Sequence, residues 1–299
     1  MERGENNLVP VPAPLLAAGV TTTLTLVYSA PTPGVGSRYA DIGVSHESRV
    51  LSAVPARDAL ARSGEIGVGE AVLEAVRGAL ALGGNAEQRS AAMLAPLVRA
   101  AAMGETPGRV LARLGTAETE PFARALELAR DPGPLRGALG LALGASGGEN
   151  QDTTLREVMR FTASRDPLAR EYARDYEVTR GLAEPALLSS LSRAESARAS
   201  LVQSYLEVLS EVPDLDIARR AGQQEAEDVS RMARGTLKSG GVHSRRGLQA
   251  VSNLDGILRA DSRLSPTATE PYVISAAFLV SLAYGPDALV GGLRPATGG

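Results

Sequence analysis

The chain has 299 residues, of which 44% are hydrophobic, so it can bury a sizeable core as one large domain or two ordinary ones. Its formal net charge of −3 argues against a strongly charged surface for nucleic acid or an anionic membrane. Because the sequence lacks cysteine, it excludes disulfides, thiolate metal sites and a cysteine nucleophile, which suits a cytoplasmic protein.

The composition favours helix over sheet. Only 3% of the residues are aromatic, so the core must be built from alanine, leucine and valine, and the first two of these are strong helix formers. We predict an all-α fold, with a single multi-helix globular domain over residues 1–299. Residues 1–11 are predicted as a lead-in, 286–299 as a frayed tail, and the Pro/Gly-rich stretch 131–151 as a crossover within that domain.

An apolar run over residues 8–30 opens the chain. Three prolines interrupt it and a basic flank is nearly absent, so we predict a buried first helix rather than a signal peptide or a membrane span. Its threonine-rich part, residues 21–27, is the one candidate for a strand.

Apolar residues three and four positions apart predict amphipathic helices along the rest of the chain. The clearest stripes lie within Val72–Leu80, Met93–Val98, Leu155–Thr162 and Leu201–Leu209. The run Val273–Ala283 is apolar on every side, which predicts a helix surrounded by other helices.

The loop between the first two predicted helices, residues 29–47, joins a Pro/Gly-rich backbone with several polar side chains. It carries Arg38, Asp41, His46 and Glu47. A loop of this kind, held by scaffold on both sides, is a common place for function. His46 is interpreted as a ligand or general base, with ordinary polar surface as the alternative.

Gly83, Gly84 and Asn85 precede another predicted helix. Glycine lets a ligand approach the backbone closely, and a helix start offers free amides to an anion. A structural role is the alternative. The two glycines would end one helix, and Asn85 would cap the next with Gln88 completing a capping box.

Two further segments place acids beside arginines. Asp166 is a good helix cap, but Glu171 lies one turn further on, so their carboxylates could converge on a cation, with Arg165 beside them. Asp214 near Arg219 is similar, because acids favour a helix start and an acid–arginine set also suits a metal–phosphate ligand. Since Lys238 is the only lysine, anion contacts must come from arginine or backbone amides.

In their order along the chain, these motifs resemble the triphosphoribosyl-dephospho-CoA synthase family. The resemblance spans nearly the whole chain, and Leu155–Tyr176 is closest to the archaeal-type members. The matching segments are Pro31–Gly34 with Arg38 and His46, Gly83–Asn85, Ala163–Glu171, Pro213–Arg219 and Leu264–Pro266.

The resemblance implies a transferase that moves the ribosyl triphosphate of ATP onto 3′-dephospho-CoA or a related acceptor and releases adenine. It implies Mg²⁺ as cofactor and a nucleotide or coenzyme-A-like partner, without nucleic acid or membrane, and the Ala-rich helices would suit a homodimer. It assigns substrate or phosphate contacts to Pro33, Gly34, Arg38, His46, Gly84, Asn85, Arg165, Arg219 and Ser265. It assigns catalysis to Asp166, Glu171 and Asp214, and metal binding to Asp166 and Asp214.

Several positions depart from the family pattern. The loop lysine of the family is Thr32 here, its following aspartate is Ser37, and its threonine after Asn85 is Ala86. The last aspartate falls on Pro271, next to Glu270. Loss of one charged group from a phosphate or metal site commonly lowers the rate by orders of magnitude. A catalytically silent helical protein that binds a nucleotide or a partner is therefore the alternative.

Overall fold

The structure is a computed structural model, and it describes residues 8–40, 44–144, 153–193 and 196–291. Throughout these ranges the regular elements are helices, and the only strand-like pairing is an isolated bridge between Ser37 and Ala40. The predicted all-α class is confirmed. The strand candidate at residues 21–27 lies inside the first helix.

The α-helices of the described ranges are, in chain order, α1 (Ala13–Ser29), α2 (His46–Ala61), α3 (Ser63–Ile66), α4 (Val68–Ala81), α5 (Gln88–Met103), α6 (Pro107–Ala112), α7 (Thr119–Leu128), α8 (Pro134–Gly144), α9 (Leu155–Thr162), α10 (Pro167–Ala173), α11 (Glu184–Leu191), α12 (Ala197–Glu211), α13 (Leu215–Arg220), α14 (Gln223–Lys238), α15 (Arg245–Ala260), α16 (Glu270–Tyr284) and α17 (Ala288–Gly291). Short 3₁₀ turns occupy Thr116–Glu118, Gly241–His243 and Ser262–Leu264, and a π-helical turn occupies Thr179–Ala183.

The chain packs as two compact units. The first comprises residues 1–21 and 51–175, and the second comprises residues 22–50 and 176–299. The boundaries between the units fall inside α1 and α2 and after α10. The single domain predicted for residues 1–299 stays a prediction.

In the first unit, α4 packs against α5 and α7. Its buried face includes Val72, Leu73 and Val76, at the spacing of a helical stripe. Gly69 permits the close approach of α7, because a Cβ at this position would collide with the carbonyl oxygen of Glu118. The Gly69 amide also donates to the Glu118 carboxylate at 2.6 Å.

In the second unit, α12 packs against α11, α14 and α16. Residues 270–278 of α16 are all buried, which confirms the prediction of a surrounded helix. Glu270, at the start of α16, is thereby fixed inside the unit.

The regions predicted as lead-in, crossover and tail contain some ordered packing. The Val11 amide donates to the Ala101 carbonyl of α5 at 2.9 Å, and Leu289 of α17 is buried. Residues 134–144 of the crossover form α8, which begins with Pro134 and buries Leu135. The remaining parts of these predicted regions, residues 1–7, 145–151 and 292–299, lie outside the described residues.

No helix within the described ranges combines the length and the apolar character that a bilayer span requires.

Candidate active site

The Pro/Gly loop after α1 is buried from residue 32 to residue 37. Gly34 has a φ of +70°, a left-handed conformation that favours glycine. A Cβ on Gly34 would lie 2.7 Å from the Leu258 Cβ and 3.0 Å from the Pro266 Cδ. Both the backbone conformation and the space at this position therefore require glycine.

Side chains from distant parts of the second unit fix the backbone of this loop. Four successive carbonyl oxygens each accept a hydrogen bond from a different side chain. The pairs are Tyr205 to Pro33 at 3.1 Å, Ser265 to Gly34 at 2.7 Å, Arg259 to Val35 at 2.9 Å, and Arg49 to Gly36 at 2.6 Å. In addition, the Gly34 amide donates to Asp255 at 2.8 Å. The loop therefore has one well-defined conformation.

Arg49 of α2 holds the end of the loop and is itself held by a buried ion pair. Its guanidinium pairs with the carboxylate of Glu270, and both side chains are less than a tenth exposed. It also lies over the ring of Tyr28, with the Arg49 Cζ 4.2 Å from the ring centroid. Glu270, the neighbour of the departing position Pro271, therefore acts on the loop through Arg49.

The positions at which this loop departs from the family pattern are buried. Thr32 is 3% exposed and Ser37 is 2% exposed. A lysine and an aspartate at these positions would have to be charged away from water. The neutral side chains fit the closed loop, and the charge at its edge comes from Arg38, which is exposed.

His46 begins α2 and is partly exposed. Within the described ranges its Nδ1 is shielded from solvent and has no hydrogen-bond partner. Its predicted role as a substrate or phosphate contact stays a prediction.

Asp214 is the cap of α13. One carboxylate oxygen accepts from the amides of Asp216 and Ile217 at 2.9 and 3.1 Å, and the other accepts from the Ala268 amide and the Thr269 hydroxyl at 3.0 and 2.8 Å. Since a carboxylate offers about four lone-pair sites, these donors fill it. The carboxylate joins α13 to the segment before α16.

Burial raises the pKa of Asp214 to about 6, and the nearby Asp216 carboxylate adds to the rise. Hydrogen bonds from the Thr269 hydroxyl and from the amides of Ile217 and Asp216 oppose it. Asp214 is therefore a buried carboxyl that titrates above its usual range.

We expect the contribution of Asp214 to the free energy of unfolding to fall as the pH rises from about 4 to about 6. In this window the folded Asp214 keeps its proton while the unfolded one has lost it, so the stabilisation is complete below a pH of 3.8 and is lost as the pH passes about 6. A gap of about two pKa units corresponds to about 3 kcal/mol. Asp214→Asn does not titrate, so urea unfolding should show a flatter pH dependence for this variant than for the wild type. Parallel profiles for the two proteins would contradict this prediction.

Leu264–Pro266, the last segment that matches the family pattern, is also held by α13. Arg220 donates to the carbonyl oxygens of Arg263 and Ser265, and Thr267 donates to Asp216 at 2.7 Å. Arg219, the predicted phosphate contact, lies 3.1 Å from Asp216 in an ion pair. The structure thus brings Gly34, Ser265, Asp214 and Arg219 into one connected part of the second unit.

A second polar cluster lies in the first unit at the start of α5. The Arg89 Nε is 3.4 Å from an Asp131 carboxylate oxygen, and Gln88 donates to the same oxygen at 2.9 Å. A Cβ on Gly133 would lie 3.0 Å from the Asp166 Oδ2 and 3.2 Å from the Arg89 Nη2. Gly133 thus leaves room for Arg89, Asp131 and Asp166 to converge.

Asp166 caps α10 and accepts from the amides of Leu168 and Ala169 at 3.0 and 3.1 Å. Glu171 is fully buried in the same helix, whereas Arg165 is exposed and lies over Phe161, with its Cζ 5.6 Å from the ring centroid. The cap interpretation of Asp166 is correct, and its role in catalysis stays a prediction.

The Gly83–Asn85 segment joins α4 to α5. Gly83 has a φ of +71° and the Gly84 amide donates to the Ala79 carbonyl at 2.8 Å, so the glycines end α4 as the cap interpretation expects. The predicted capping box is wrong, because the residue before α5 is Glu87 and Gln88 bonds to Asp131 instead. Asn85 donates to Glu87 at 2.9 Å.

On their own, these residues do not form a magnesium site. In the described part of the chain, no three His, Asp or Glu side chains are placed to hold a metal ion. The predicted ligand Asp214 has its oxygens filled by four donors, and one oxygen of Asp166 accepts two amides.

Most of the side chains that fix these segments were not predicted from the sequence. They are Arg49, Tyr205, Arg220, Asp255 and Arg259 in the second unit, and Arg89 and Asp131 in the first.

Comparison with known proteins agrees with this architecture. A family model described as ATP:dephospho-CoA triphosphoribosyl transferase matches residues 20–287. Among solved structures, an Archaeoglobus fulgidus protein whose proposed activity is triphosphoribosyl-dephospho-CoA synthase matches with a TM-score of 0.57 and 20% identity, over 82% of this chain and 100% of its own. At that identity the structural likeness shows the fold alone. No curated protein matches the chain.

Proposed function

Since the chain belongs to the ATP:dephospho-CoA triphosphoribosyl transferase family, we propose that it transfers the ribosyl triphosphate of ATP to a ribose hydroxyl of 3′-dephospho-CoA or a related acceptor. The bond between the anomeric carbon and the adenine nitrogen breaks, and a bond between that carbon and the acceptor oxygen forms. The hydroxyl proton is lost and adenine leaves with a proton. A chain acting on these metabolites would work in the cytoplasm.

The observation that carries the proposal is the fixed loop at residues 31–37, at the place where the resemblance puts a substrate loop. Most of its backbone amides are not free to bind a phosphate, since those of Gly34, Val35 and Ser37 already donate to protein oxygens. Contacts with the triphosphate therefore fall to side chains at its edge, of which Arg38 is the nearest in sequence. A rigid loop of this kind would hold Arg38 without reorganisation during the reaction.

The other proposed contacts follow the resemblance. Glycosyl transfer develops positive charge on the ribose carbon, and the triphosphate brings negative charge that cationic donors must balance. For catalysis we propose Asp166 and Glu171, as the resemblance assigns them, and Arg89 as a further polar group beside Asp166. Because Asp214 is fully hydrogen-bonded, its proposed part is to hold α13. The residues present do not form a magnesium site, so we derive no step through the metal.

Adenine release tests the transferase directly. The purified protein, incubated with ATP, dephospho-CoA and magnesium, should release adenine that chromatography detects. Asp166→Asn keeps an acceptor oxygen for the cap but loses the charge, so we expect release to fall at least about 100-fold with little change in melting temperature. If concentrated wild-type protein releases no adenine, the proposal is wrong. If Asp166→Asn keeps full activity, Asp166 has no part in catalysis.

The alternative is a catalytically silent protein that binds a nucleotide or a partner. Thr32 and Ser37 favour it, because they are neutral where the family carries charge. A thermal-shift series with ATP, ADP and dephospho-CoA separates the two functions, since a ligand that binds the folded state must raise its apparent stability. A rise in melting temperature without adenine release supports the catalytically silent protein.

A further inference from the structure

A cavity of about 440 Å³ opens in the second unit between α12, α15 and the loop that follows α1. Its walls are largely aliphatic and include Pro31, Val202, Leu248 and Val251. The volume lies in the range of small-molecule pockets, roughly 300–1,000 Å³. No residue of the predicted site lines this cavity, but it adjoins the fixed loop through Pro31 and Asp255.

One side of the cavity is positively charged. Arg198 lines it and donates to the Tyr39 hydroxyl at 3.1 Å, and Arg38 lies over the Tyr39 ring with its Cζ 5.5 Å from the centroid. Of the described lining residues only Asp255 is acidic, and its carboxylate pairs with Arg259 at 2.8 Å. Among the described residues at this side, the net charge is that of the two arginines.

The first turn of α12 adds to this charge. Ser196 precedes the 15-residue helix and lines the cavity, and its side chain makes no capping hydrogen bond. Within the described part of the chain, the cap side chain does not bond to the amides of the first turn, which lie at the positive end of the helix dipole. An anionic group is favoured here, next to aliphatic walls.

We infer that the cavity binds the phosphopantetheine arm of the acceptor, with the largely aliphatic chain along Val202 and Val251 and the phosphate at Arg198. The inference rests on the proposed function, which supplies a coenzyme-A-like acceptor. A purine fits less well, because a base binds best where it can stack on an open aromatic face. The one aromatic residue among the described lining residues, Tyr39, is 64% exposed and its ring is already covered by Arg38.

Calorimetric titration of the full chain with 4′-phosphopantetheine, dephospho-CoA and ATP tests the inference. Ser252 is exposed on α15 and lines the cavity, so Ser252→Trp fills it without disturbing the core. We expect affinity for the first two ligands to fall at least about tenfold, with ATP affinity unchanged. Asn253→Trp, at the next exposed position outside the cavity, is the matched control and should leave all three affinities unchanged.

Removal of the phosphate contact is a second test. Arg198→Ala should lower the affinity for 4′-phosphopantetheine by about tenfold. The affinity for pantetheine, which lacks the phosphate, should fall far less. Arg124→Ala, an exposed arginine of α7, controls for the loss of one positive charge.

The outcomes separate this inference from the proposed function. Unchanged acceptor affinity in Ser252→Trp, loss of ATP affinity instead, or no binding of 4′-phosphopantetheine to the wild type would each overturn the inference. Adenine release alongside any of these results leaves the transferase standing. Acceptor binding that Ser252→Trp abolishes, without adenine release from the wild type, supports the cavity and refutes the transferase.

Discussion

Arg49→Ala is expected to lower the free energy of unfolding by about 3–5 kcal/mol, because it leaves the Glu270 carboxylate buried without its counter-charge. The same change removes the hydrogen bond to the Gly36 carbonyl and the contact with the Tyr28 ring. Urea unfolding followed by circular dichroism measures the difference.

Arg57→Ala on the same helix is the matched control. Arg57 pairs with Asp58 at 2.8 Å, but both side chains are well exposed. The loss of that pair should therefore have little effect on stability, because exposed ion pairs contribute little. A double variant, Arg49→Met with Glu270→Gln, should be more stable than Arg49→Ala, since it buries no unpaired charge. Equal effects at Arg49 and Arg57 would contradict the ion pair described above.

Gly34→Ala is the second change with a large expected effect, a loss of about 3 kcal/mol or more from strain and overpacking together. A φ of +70° is strained for any residue with a side chain, and the new Cβ would lie 2.7 Å from the Leu258 Cβ. Since the Leu258 Cβ is close to its backbone, it has little freedom to move aside. The loop should shift and nucleotide binding should weaken with it.

Gly83→Ala separates the effect of backbone strain from the effect of overpacking. Gly83 has nearly the same φ, +71°, but an added Cβ there would meet no atom of the described structure within 4 Å. Only the backbone strain remains, which should cost about 1–2 kcal/mol. If the two alanine variants unfold at the same urea concentration, the close contact around Gly34 does not exist.

The helices could be predicted from the sequence because their signals are local. The stripe in α12 and the apolar run in α16 each lie within one element. Caps are also local, so Asp166 and Asp214 could be recognised as helix starts. The helix α8 was missed because its glycines suggest a break, although Gly137 and Gly140 lie in open space, where glycine costs little beyond propensity.

The contacts that hold the candidate site could not be predicted in this way. Arg49 and Glu270 are 221 positions apart, and Arg49 looks like any other arginine on the polar face of α2. Asp255 and Arg259 have the spacing of an ordinary surface ion pair, yet both also bind the loop backbone. A single sequence does not distinguish such residues from solvated ones.

The loop at residues 33–36 has a consequence for biosynthesis. Its Tyr205 and Ser265 partners lie 172 and 231 residues downstream. At a synthesis rate of about 5–20 residues per second, the loop is synthesised about 9–46 s before those partners. The nascent chain therefore carries this segment without these two partners through most of translation, and premature termination before α15 would release a polypeptide that lacks Asp255, Arg259 and Ser265.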